Sequence, residues 1–131
     1  MGYTGANYRF YNKLKHALNG LFLALKHEVH IKVHITATLI VFVLGFTLKL
    51  KAIELIILLL VVGSVITTEL INSAIERVVD LITDEYHPIA GQAKDIAAGA
   101  VLFSVIIAVI IGLIIFIPYL KFLTSELKVF F

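Results

Sequence analysis

Four polar side chains, Glu69, Asn72, Glu76 and Asp80, follow one another at intervals of three, four and four residues in the segment ELINSAIERVVD. At 100° per residue in an α-helix, these intervals put all four within about 80° of one another, on a single face. Three carboxylates on one stripe repel, so a cation has to sit against them: a divalent metal, Lys94 from further along the chain, or Arg77 at the stripe's edge. An ordinary solvated face explains Asp80 and, less fully, Glu76. It explains Glu69 poorly, because its neighbours Ile66, Leu70 and Ile71 belong to an apolar run. A carboxylate at the end of a membrane-length apolar segment is expensive to place and requires a reason. There, Glu69 is suited to accept a proton from a weakly acidic partner such as a lipid hydroxyl, and Asn72 to orient the groups involved. Glu76, one or two turns nearer water, suits a hard cation that takes oxygen ligands. Lys94 is a compact cation suited to a phosphate. Carboxylates and a lysine at a membrane surface suggest metal-assisted reaction of a phosphorylated, soluble molecule with an amphiphile.

Other chemistries find less support. No glycine precedes a lysine in the P-loop manner, so a nucleotide would have to be held by helices and side chains. Cysteine is absent, which removes thiolate chemistry and a disulfide framework. His27, His30 and His34 fall on roughly one helical face beside Glu28, but no HExxH pattern is present, and contact with lipid head groups explains them more simply. Glu28 is an isolated acid on a basic segment, free to complete the coordination of a metal held by Glu76. A small ion-conducting subunit is the non-enzymatic rival, since carboxylates within membranes also mark ion paths. It calls for acids near the bilayer midplane, whereas here the span interiors carry none.

The elements that position these residues follow from composition. The 131 residues are 60% hydrophobic and 15% charged, with mean hydropathy +1.02. A soluble domain of this size buries only about 60–70% of its chain surface, too little to hide so much apolar area. The expected class is an all-α integral membrane protein of one domain, residues 1–131. A net charge of +2 gives no ground for a nucleic-acid partner. Phe10, Leu14, Leu18, Leu21 and Leu25 recur at helical spacing among lysines, predicting an amphipathic surface helix over about 6–27. Apolar runs predict spans over about 33–48, 53–70 and 96–119, with the second helix continuing past the membrane to about residue 83. Lys49, Leu50 and Lys51 leave room only for a tight antiparallel hairpin between the first two. Asp84 to Pro88 form a polar turn, and Pro118 is placed near the end of the third span, before a wet tail. A signal peptide is rejected, because more than 30 residues precede the first apolar core and two further spans follow.

Three spans put Arg9, Lys13, Lys15, Lys26, Lys32, Arg77 and Lys94 on one side, and Lys49, Lys51, Lys121 and Lys128 on the other. The positive-inside rule therefore places the acidic stripe in the cytoplasm, on the inner face of the cell membrane.

At these residues the sequence resembles the prokaryotic diacylglycerol kinase family of small three-span membrane kinases. The match is carried by ELINSAIERVVD (69–80), EYH (85–87) and AKDIAAGAV (93–101), ungapped within each block. The resemblance implies Mg²⁺- and ATP-dependent phosphorylation of a lipid hydroxyl by a homotrimer with active sites between subunits. Carried over by position, it implies Glu69 as catalytic base, Glu28 and Glu76 as metal ligands, and Asn72 as a polar partner at the substrate. It places Lys94 on the ATP phosphates, Asp80, Glu85 and His87 nearer the nucleoside, Asp95 as a further polar residue of the ATP site, and Arg9 facing the lipid head or the nucleotide. A trimer also suits the physics, since three spans alone are expected to shield Glu69 poorly. HEVHIKVH, DIAAGAV and LIIFIPYL resemble the Gram-positive branch, whose members are similar to undecaprenol kinases. The chain departs from that branch's pattern at Val29 and His30, where Arg-Asn is usual. Undecaprenol is thus the expected acceptor and diacylglycerol the alternative.

Overall fold

The computed structural model describes residues 5–82, 85 and 87–129, with side chains described between 10 and 122 of that range. Four helices account for nearly all of it: α1 (Gly5–His27), α2 (Val29–Thr47), α3 (Ala52–Ile82) and α4 (Pro88–Val129). The last three are long and apolar enough to cross a membrane. No more than 17% of the apolar stretch of any one is buried within the chain, so most of their surface faces outward.

A single extended residue, Glu28 (φ −90°, ψ 117°), separates α1 from α2. The first spanning helix thus starts at Val29, earlier than the apolar run from 33 suggests. The polar stretch His27–His34 supplies its first turns, because nothing in VHIK opposes a helix once the bend is made. The Lys32 ammonium returns to the Lys26 carbonyl at 2.9 Å, satisfying one of the acceptors left open at the end of α1.

The hairpin between α2 and α3 is as tight as the sequence implied. Leu50 N–H bonds to the Gly45 carbonyl at 3.0 Å and Lys49 N–H to the Phe46 carbonyl at 3.1 Å. Both bonds close α2 in the pattern of a Schellman cap. Lys49 occupies the left-handed position (φ 55°), where glycine is usual. Gly45 is required for a different reason: a Cβ there would lie 3.1 Å from Leu55 Cδ2, so its absence lets α3 approach. Lys51 N–H then donates to Glu54 Oε2 at 2.7 Å, satisfying one amide at the start of α3. The same oxygen accepts the Tyr119 hydroxyl at 2.6 Å, which ties α4 to the hairpin. The compact apolar cluster of Leu50, Leu58 and Ile115 lies beside this junction. It is at the opposite end of α3 from the polar stripe.

At 31 residues, α3 is about 46 Å long and extends well beyond about 30 Å of hydrocarbon. It packs most extensively on α4. That helix does not stop at Pro118 but runs through it to Val129. Proline there removes one backbone bond, to the carbonyl four residues earlier, and the residues after it carry no further breaker.

Candidate active site

The face of α3 that turns toward the rest of the chain carries Glu69, Asn72 and Ser73, spaced i, i+3, i+4. Their exposures are 3%, 7% and 6%. The polar stripe therefore divides as the sequence suggested, buried at Glu69 and Asn72, half-exposed at Glu76 and exposed at Asp80. One expectation is corrected. Three spans and α1 bury Glu69 within a single chain, because the other helices converge on this end of α3. The α1–α2 bend reaches it through Glu28, and the start of α4 through Lys94.

Three contacts organise the stripe and its surroundings. Asn72 Nδ2 donates to Glu76 Oε1 at 3.1 Å, while the buried Asn72 Oδ1 has no hydrogen-bond partner among the described residues. An unpaired buried acceptor costs about 1–3 kcal/mol, and a hydroxyl donor or a hard cation would satisfy it. Lys94 Nζ, on the first turns of α4, pairs with Asp80. Arg77 makes a two-pronged contact on Glu28 Oε1, with Nη2 at 2.6 Å and Nε at 3.2 Å. Of the cations proposed for the stripe, Lys94 pairs with Asp80, whereas Arg77 turns to Glu28 at the α1–α2 bend.

The remaining predicted residues are spread more widely. Glu85 and His87 are exposed in the α3–α4 connection, and the His87 carbonyl accepts Gly91 N–H at 3.0 Å as α4 begins. Asp95 is exposed next to Lys94. Arg9 belongs to α1, but its side chain lies outside those described. His27 and His30 are exposed and His34 is half-buried. Among the described residues no three of His, Asp and Glu come together closely enough to hold an ion. The oxygen donors that these contacts bring to this end of α3 are Glu76 and Asn72, bonded to each other, and Glu28, held through Arg77. Such a set suits Mg²⁺, which binds through one or two carboxylates and takes its other ligands from water and a substrate's phosphates.

Two grooves flank α3. One, of about 500 Å³, runs between α1 and α3 and is lined by Ala17, Gly20, Leu21, Ala24, Leu70, Ser73, Glu28 and Arg77 among others. The other, of about 340 Å³, lies among α2, α3 and α4, and is apolar apart from His34 and Thr38. Sequence reasoning missed Ser73, although its offset of four from Glu69 places it on the same face. It also missed the pairing of Glu28 with Arg77, since a contact across 49 residues leaves no trace in local spacing.

A family model described as prokaryotic diacylglycerol kinase matches residues 15–116. Undecaprenol kinase of Bacillus subtilis (strain 168) is 44% identical over 112 residues, covering 86% of this chain and 91% of that protein. Diacylglycerol kinase of Escherichia coli (strain K12) is 41% identical over 91 residues, 70% of this chain and 75% of that protein. Diacylglycerol kinase of Haemophilus influenzae (strain ATCC 51907 / DSM 11121 / KW20 / Rd) is 36% identical over 106 residues, covering 80% and 90%.

Proposed function

Because the chain belongs to the prokaryotic diacylglycerol kinase family, we infer that it is a multi-pass membrane lipid kinase that phosphorylates undecaprenol to undecaprenyl phosphate at the expense of ATP. The acceptor rests on one observation, the 44% identity to an undecaprenol kinase across 86% of the chain. Diacylglycerol, phosphorylated to phosphatidic acid, is the second reading, motivated by the relatives named for it.

Glu69 takes the proton of the lipid hydroxyl while that oxygen bonds to the γ-phosphorus and the bond to the bridging oxygen of ADP breaks. Burial on the inner face of α3 keeps bulk water, the competing nucleophile, away from the acceptor. Asn72, bonded to Glu76, presents Oδ1 to the hydroxyl or to the ion beside it. Lys94 exchanges Asp80 for the ATP phosphates. Glu85, His87 and Asp95 serve the nucleotide from the α3–α4 connection, with Asp80 beside them. Arg9 serves the lipid head or the nucleotide. Glu28 and Glu76 would hold Mg²⁺, which neutralises charge on the transferring phosphoryl group when bound. The distribution of basic residues supports a site facing the cytoplasm, and a homotrimer with shared sites is the assembly that the family resemblance implies.

Initial rates of label transfer from γ-labelled ATP, measured on undecaprenol and diacylglycerol in one detergent, test the assignment. Undecaprenol is expected to be the faster acceptor. A strong diacylglycerol preference reverses the order of the two lipids, and no transfer to either removes the kinase assignment.

A further inference from the structure

We propose that the Arg77 guanidinium stands in for the divalent cation at Glu28, holding that carboxylate until the metal–nucleotide arrives and yielding it on binding. The proposal rests on Glu28 being a metal ligand. Glu28 is the one residue between α1 and α2, and its side chain is only 22% exposed, so its charge needs a partner. The partner it has is Arg77, from a helix 49 residues away. Both guanidinium contacts, Nε at 3.2 Å and Nη2 at 2.6 Å, converge on Oε1, as two bonds to a single ligand oxygen.

Two features make this pair an exchangeable one. The Arg77 side chain is 48% exposed, so the guanidinium can move into water at small cost, and such pairs are weak. The guanidinium already sits on Glu28 Oε1. A cation bound to that carboxylate would therefore sit close to it, and repulsion between them would push the guanidinium off Glu28. Once released, it lies where a polyphosphate's negative charge would receive it, with Lys94 nearby on α4 making the parallel exchange from Asp80.

Mn²⁺ serves as the probe, its free concentration read by electron paramagnetic resonance on the purified full-length protein without nucleotide or lipid. Arg77→Met is expected to tighten Mn²⁺ binding by roughly three- to fivefold, the upper end for a partly exposed ion pair. In a Glu28→Gln background the same substitution is expected to change binding by less than about twofold. Unchanged or weaker binding in Arg77→Met with wild-type helicity would overturn the proposal. So would an equal gain in the Glu28→Gln background, which would trace the effect to general removal of positive charge. Arg77→Gln replaces Arg77→Met if the latter does not fold. Label transfer by the wild type is assayed alongside. Its absence would count against the kinase assignment, while the Mn²⁺ comparison would still decide the role of Arg77.

Discussion

Glu69 and Asn72 hold different places in the account although they share a face of α3. In the proposed reaction Glu69 accepts the proton, whereas Asn72 would act through the bond it donates to Glu76 and through Oδ1, which has no partner among the described residues. Asn72→Ala removes both and leaves Glu76 unheld, so kcat is expected to fall by about 10- to 100-fold with a smaller change in the lipid KM. Lys94→Met is expected to behave in the opposite way, raising the KM for ATP by about tenfold while the lipid KM stays near wild type. A common fall in all parameters for both variants would mean that the site collapses as a unit. Spacing of three, four and four was enough to put Glu69, Asn72 and Glu76 on one face, because one helix carries them and helical periodicity is local. Glu28 was reached by charge contrast, an acid among basic residues. Its partner was not, since pairing between the α1–α2 bend and α3 depends on how the helices pack.

At the scale of elements, α3 is fixed at both ends by different means. Its stripe end is tied by Glu28–Arg77 and Lys94–Asp80, each partly exposed and therefore readily exchanged. The hairpin end is tied by the Schellman cap, by the close approach at Gly45 and by Glu54, which joins Lys51 N–H to the Tyr119 hydroxyl. Tyr119→Phe should therefore lower the thermal unfolding midpoint in detergent while leaving kcat and both KM values unchanged. A loss of activity at unchanged stability would instead link the hairpin end to catalysis. Apolar runs and the Lys49–Lys51 interruption made three spans and a hairpin legible. Less legible were the starts and ends. The first turns of α2 are polar, as VHIK, and α4 passes through Pro118, so neither hydropathy nor a breaker residue marked the boundary.

For the whole molecule, the distribution of burial separates what one chain does from what an assembly adds. A single chain already buries Glu69, so the proposed base does not depend on neighbours for shielding. The spans do, in the sense that most of their apolar surface faces outward and must meet lipid or further copies. A homotrimer should give a protein mass of three chains in detergent by light scattering. A monomer that retains full turnover would remove the shared-site proposal and leave the chemistry intact. The central claim is that Glu69 accepts the proton of a lipid hydroxyl as ATP phosphorylates it. Turnover of γ-labelled ATP onto undecaprenol by Glu69→Gln, at saturating Mg²⁺ and with helicity and Mn²⁺ binding equal to wild type, tests it most directly. The account predicts a fall in kcat of at least about 100-fold. Turnover at the wild-type rate would contradict it.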